Sequence, residues 1–96
     1  ILQAQDSIDG VFAHNDGMIL GAIEAANAAG REGITFVGFD AIDDAVAAVG
    51  DGSLAATVAQ QPALIGQLGV EAAITFLGGG DVADSVPVAL SLVTDE

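Results

Sequence analysis

Phe12-Ala13-His14-Asn15-Asp16, Val37-Gly38-Phe39-Asp40 and Ala56-Thr57-Val58-Ala59-Gln60-Gln61-Pro62 follow one another in this chain, and their reading decides the fold. Each is a β-like run that stops at a polar residue, and a helical pattern follows each stop. In an open parallel α/β sheet such stops lie along one edge, where ligands bind. Asn15, Asp40 and Gln60 are therefore expected to face one crevice. Their groups suit a hydroxyl-rich ligand, because an amide donates and accepts at once and an ionised carboxylate accepts from two donors.

The rest of the sequence fits the same alternation. Val11 to His14 reads as a short buried strand, and Asp16 as the cap of a helix over 17–29 that Gly30 ends. Ile19, Ile23 and Ala26 make its apolar stripe. Ile34 to Phe39 reads as the second strand. The next helix starts near Ile42, with Ile42, Ala45, Val46 and Val49 on one face and Asp43 and Asp44 favoured by the dipole in its first turn. Gly50-Asp51-Gly52 reads as a turn, and Leu54 to Ala59 as the third strand. Pro62 opens a third helix that runs to Leu77 and is apolar over most of its circumference, a pattern expected of a buried helix. Gly78-Gly79-Gly80 ends it. Val86 to Val93 reads as a last strand, with Pro87 marking an edge or a strand start. The order β-α-β-α-β-α-β predicts an α/β fold: an open, mostly parallel sheet of about four strands with flanking helices and right-handed crossovers.

The strings V-F-A-x-N-D, V-G-F-D and L-A-A-T-x-A-Q-x-P resemble the C-terminal lobe of periplasmic sugar-binding proteins of the ribose-binding type, which have the type I periplasmic binding protein fold. The resemblance covers nearly the whole chain, from about Ile8 to Val93. It implies reversible capture of a small sugar, a pentose or a hexose, between two lobes and delivery to an ABC transporter permease or a chemoreceptor. It also implies a periplasmic or extracytoplasmic location and no cofactor. Matched residue by residue, it assigns sugar contacts to Asn15, Asp40 and Gln60, and not to Gln61. The competing roles are local: a turn for Asn15, the cap of the second helix for Asp40, a solvated amide for Gln60. The chain has no Trp or Tyr, its four Phe read as core or strand residues, and the family's stacking aromatics and arginine come largely from segments outside these 96 residues. The chain is accordingly expected to form one incomplete lobe over 1–96, with weak or absent binding alone. Its expected partners are a small sugar and either the N-terminal lobe or a second copy, which would cover Val70, Ile74 and Leu77 on the third helix.

Composition narrows the field. Fourteen acidic residues stand against the single Arg31, a net charge of −13. Nucleic-acid binding needs cations to displace phosphate counterions, and an anionic membrane surface would repel such a chain. No stretch is apolar and long enough to insert in a bilayer, and no basic and apolar leader pattern is read at the start. The absence of cysteine removes disulfides and thiolate chemistry. His14 is the one histidine, too few for a zinc site, and reads as structural. The pairs Asp43 with Asp44 and Asp81 with Asp84 lack calcium-loop spacing and read as solvated acids. No nucleophile elbow, dinucleotide fingerprint or P-loop occurs, which argues against an enzyme, including one of flavodoxin-like fold.

Two other readings stay open on sequence: the effector domain of a LacI-type repressor, and a structural or engineered half-domain that self-associates. Repressors of that type read P-P-L-T-T-V near the third strand, whereas this chain reads Leu54-Ala55-Ala56-Thr57-Val58, which favours the transport type.

The acidity has a measurable consequence. Salt at about 1 M shortens the Debye length to roughly 3 Å and relieves like-charge repulsion. The thermal midpoint is expected to rise from low to molar sodium chloride, followed by circular dichroism; a flat or falling midpoint would contradict dominance of repulsion.

Overall fold

The computed structural model describes residues 1–95. Its elements are β1 (Gly10–Phe12), α1 (Asp16–Ala28), β2 (Thr35–Phe39), α2 (Asp43–Asp51), β3 (Ala56–Ala59), α3 (Pro62–Leu77) and β4 (Ser91–Val93). The four strands form one sheet in the order β1-β2-β3-β4. The first three are parallel, and β4 runs antiparallel to β3 with Val58 opposite Leu92. This is the α/β, mostly parallel open sheet expected from the alternation of strands and helices.

The residues fall into two compact units. The first comprises Ile1–Ala59 and the segment from Ser91 onward, and the second Gln60–Leu90.

In the first unit, the core is built from Ile19, Ile23 and Ala26 of α1, Phe36 of β2, Ala45, Ala48 and Val49 of α2, and Leu54. The α1 stripe is the one that the i, i+4, i+7 spacing predicts. The α2 face is the expected one in part: Ala45 and Val49 are buried, but Ile42 and Val46 are exposed and Ala48 is buried with the first two instead. The i, i+3, i+4 set Ala45, Ala48 and Val49 turns small side chains inward, so α2 packs closely, and Val46 lies about 100° round the helix from Ala45. Gly52, with φ of 89°, caps α2 in the left-handed conformation, so Gly50 and Asp51 belong to the helix's last turn rather than to a separate one. Asp51 accepts from the Ser53 hydroxyl and from Ser53 N at 2.8 Å. The hydroxyl bond first, and the backbone bond second, hold its carboxyl below the ordinary value. Any stabilisation from it is therefore present above the unfolded pKa and is lost as pH falls through the folded one.

The N-terminal segment is a turn, with Gln5 N donating to Ile1 O at 3.0 Å. Arg31 fastens it: its guanidinium donates to the carbonyls of Leu2 at 2.8 Å, Gln5 at 3.2 Å and Asp6 at 3.2 Å. The chain's one arginine thus serves backbone oxygens. The last strand is shorter than the alternating pattern predicts: only Ser91–Val93 pairs, and residues before it, Pro87 included, stay outside the ladder.

In the second unit, α3 has the predicted bounds, with Pro62 in its first turn. It ends at the glycine run, where Gly80 N donates to Thr75 O at 2.9 Å and Gly79 takes φ of 84°. Gln61 Nε2 donates to Ala89 O at 3.0 Å, tying the two ends of this unit together. Contrary to the expectation of a buried helix, no residue of α3 is buried. Phe76, read as core or strand, lies on this helix 71% exposed.

Gly38 fixes how closely β2 passes α1. A Cβ there would come 2.7 Å from Ile19 Cγ2 and closer still to Asp16 Oδ1. Neither neighbour has room to give, because both side chains are fully buried. Gly38→Ala is expected to destabilise the chain by about 1–3 kcal/mol, the usual range for overpacking, read from urea denaturation. A variant as stable as the parent would contradict this packing.

Candidate functional site

β1 and β2 are parallel neighbours, with Phe12 opposite Val37, and Ala13 N extends the ladder to Val37 O at 3.1 Å. Both strands therefore leave the sheet at the same edge, β1 toward Asn15 and β2 into Asp40. The two residues reach that edge by different local geometries.

Asn15 is the N-cap of α1. Its backbone is extended (φ −152°, ψ 161°), and its Oδ1 accepts from Met18 N at 2.8 Å. This corrects the expectation that Asp16 caps the helix. Asp16 already lies in the first turn and its side chain is fully buried. Only the extended residue before it can bend an oxygen back onto the free amides.

Asp40 is exposed and sits in a turn of unusual backbone. Asp40 has φ of 122° and Ala41 φ of 58°, two consecutive non-glycine residues in territory that favours glycine. Three hydrogen bonds hold them. Asp40 N donates to Val58 O at 2.8 Å, Ala41 N to Thr57 Oγ1 at 3.1 Å, and Ile42 N to Asp16 Oδ2 at 2.9 Å. Thr57 Oγ1 in turn donates to Asp16 Oδ1 at 2.7 Å. Asp16 and Thr57 are both 0% exposed, so the carboxylate and hydroxyl of this small network are shielded from water. Asp40 does not cap α2: the N-cap is Ile42, with no side-chain cap bond, and helix α2 begins at Asp43.

An apolar concavity of about 360 Å³ lies at the same end of these strands, lined by Phe12, His14 and Phe39. Phe12 is 55% exposed. His14, also exposed, tilts against it with ring centroids 5.4 Å apart. The rings supply an apolar face, and Asn15 and Asp40, each next in sequence to a lining residue, supply an amide and a carboxylate as hydrogen-bond partners. A larger concavity of about 700 Å³ opens over α1 and the opposite part of β1 and β2, among Ile8, Val11, Ala22 and Ile34. Its aliphatic lining suits packing rather than hydroxyl recognition.

Gln60 belongs to the second unit. It follows directly on Ala59, the last residue of β3, and is half-buried. The first unit thus brings Asn15 and Asp40 to one sheet edge, and Gln60 is described with its own segment. Among the described residues no group of three or more His, Cys, Asp or Glu could hold a metal ion. Nor is any helix long and apolar enough to cross a membrane.

Sequence reasoning missed two features of this edge. The first is the Asp16–Thr57 pair, whose signal was Gly38, a glycine inside a strand that marks close approach. The second is the exposure of Phe12, the last residue of β1, which the reading of Val11 to His14 as a buried strand placed inside.

The model of the periplasmic binding protein domain matches residues 1–81. The chain belongs to this family. Among its relatives, the ribose import binding protein RbsB of Bacillus subtilis is 48% identical over 96 residues, which is 100% of this chain and 31% of the relative. Its Escherichia coli counterpart is 46% identical over 96 residues, again 100% of this chain and 32% of the relative. A solved periplasmic solute-binding protein from Actinobacillus succinogenes with bound D-allose superposes with a TM-score of 0.80 at 29% identity, covering 98% of this chain and 33% of that one. A Caulobacter myo-inositol binding protein superposes at 0.75 with 35% identity, over 90% of this chain and 30% of that one. The chain thus spans about a third of the length of the relatives it matches.

The cap is testable by itself. Asn15→Ala removes the acceptor for Met18 N and is expected to cost about 0.5–2 kcal/mol of stability, measured by urea denaturation. A cost near zero would mean that α1 starts without it.

Proposed function

We propose that this chain contributes one side of a sugar site in a periplasmic binding protein that captures a pentose or hexose reversibly and serves an ABC importer. The observation that carries the reading is that Asn15 and Asp40 follow adjacent parallel strands at one sheet edge, each directly after a residue, His14 or Phe39, that lines the ring-walled concavity. In this reading Asp40 accepts bonds from two sugar hydroxyls, which charge assistance makes stronger than neutral ones. Asn15, whose Oδ1 accepts from Met18 N, presents its amide nitrogen as a donor. The motif A-Q-x-P extends the same role to Gln60. The relatives' names, ribose import binding proteins, support a furanose- or pyranose-sized ligand and an extracytoplasmic setting. Binding is the whole task in this reading, with no bond made or broken and no cofactor.

A second body completes the proposal. Val70, Ile74 and Leu77 on α3 are 61%, 66% and 84% exposed. Apolar groups clustered on one helix mark interaction surfaces. The family's N-terminal lobe, or a second copy of this chain, is proposed to cover them.

The reading predicts weak binding by the chain alone, because one side of a site must offset the full cost of lost freedom and desolvation. A dissociation constant of about 1 mM or weaker is expected for D-ribose. In a nitrogen-15 titration, D-ribose should shift the amides of Asn15, Asp40 and Ala41, and L-leucine should not. Absence of any sugar-dependent shift at these amides up to solubility would overturn the assignment.

A further inference from the structure

We infer that Asp16 and Thr57 are positioning residues: together they hold the Asp40–Ala41 turn in its left-handed conformation and so set where the Asp40 carboxylate stands before any ligand arrives. This deepens the proposed function and rests on it for the role of Asp40, but the conformational claim stands on its own geometry.

The turn needs support. Asp40 at φ of 122° and Ala41 at 58° carry Cβ atoms in sparsely populated regions that persist only where the surroundings over-determine them. No glycine relieves the strain, since the sequence here is Phe39-Asp40-Ala41-Ile42. What over-determines the turn is a row of three successive backbone amides, each with its own acceptor. Asp40 N goes to the main chain at Val58 O, Ala41 N to Thr57 Oγ1 and Ile42 N to Asp16 Oδ2. Two of the three acceptors are side-chain atoms, so the turn is written into residues 16 and 57 rather than into the strand ladder alone.

The two side chains also complete one another. Thr57 Oγ1 accepts from Ala41 N and donates its own proton to Asp16 Oδ1, leaving Asp16 Oδ2 for Ile42 N. Both carboxylate oxygens therefore act as acceptors inside a site with no exposure. Among the described residues no buried side-chain nitrogen or oxygen lacks a partner. A buried carboxylate is otherwise expensive, and its location in the first turn of α1 puts it where the helix dipole favours negative charge. Gly38 keeps the space open, because a Cβ there would strike Asp16 Oδ1. Asp16 thus links α1, β3 and the β2–α2 turn, which is the junction from which both Asn15 and Asp40 extend.

The test has two arms on the chain as it is. In the first, without sugar, carbon chemical shifts of Asp40 and Ala41 (Cα and Cβ, which report φ) are compared among the parent, Asp16→Ala, Thr57→Val and Thr57→Ser. The expected result is that Asp16→Ala and Thr57→Val lose the left-handed shifts at these two residues while the Ile23 amide and carbons keep parent values. Thr57→Ser, which retains the hydroxyl, should keep the parent pattern. Thr57→Val preserves side-chain size and keeps the comparison decidable if Asp16→Ala does not fold. Unchanged Asp40 and Ala41 shifts in a folded Thr57→Val chain would overturn the inference, as would loss of those shifts in Thr57→Ser. In the second arm, D-ribose affinity read at Asp40 should fall roughly tenfold or more in Thr57→Val and stay at the parent level in Thr57→Ser. If the parent itself answers to no sugar, the functional reading fails, and the first arm still decides the conformational one.

Discussion

The buried carboxylate of Asp16 is the constraint on which this arrangement depends. An acid without solvent exposure needs acceptable partners for both oxygens, and here they come from two other parts of the chain, the Thr57 hydroxyl on β3 and the Ile42 amide at the start of α2. The partners lie 41 and 26 residues away in sequence. They can be satisfied together only when β3, α1 and the β2–α2 connection have all reached their final places. A lost bond in such a network leaves a desolvated group behind, which costs more than the bond itself contributes. That asymmetry makes the network a specification of the turn as much as a source of stability.

The strand packed against this acid shows the same economy of space. β2 carries Phe36 into the core and Val37 into the ladder, but at position 38 the α1 side chains leave no volume for any side chain. The glycine of V-G-F-D is therefore there for what lies beneath it. The following phenylalanine and aspartate are delivered together to the sheet edge, one toward the ring-lined concavity and the other into the left-handed turn. An apolar ring and a carboxylate thus reach the sheet edge from four consecutive residues, one of which has no side chain.

Charge acts on a different scale. With a net charge of −13 the surface repels itself, and the single Arg31 forms its hydrogen bonds to backbone carbonyls of the N-terminal turn. A net charge of this kind bears on solubility and association rather than on the course of the chain. Apolar surface is distributed just as unevenly: the first unit has a compact core, whereas α3 in the second has no buried residue.

The sequence by itself determined the element order, the mostly parallel sheet and the bounds of α3, because those follow from local periodicity and from glycine and proline at fixed places. It also placed Asn15 and Asp40 after β1 and β2, since a strand ending in a polar residue before a helix has one reading in a parallel sheet. Tertiary structure decided the rest. Asn15 rather than Asp16 caps α1 because the Asp16 carboxylate is taken into the core by Thr57 and Ile42, both distant in sequence. On α2 the sequence placed Ala45 and Val49 on the buried face, but the packed chain turned Ala48 inward and left Ile42 and Val46 exposed. The paired length of β4 was set by its antiparallel register with β3, a contact that alternation within Val86 to Val93 could not encode. Local rules fix what a segment can be; which of several compatible partners it finds is a property of the packed chain.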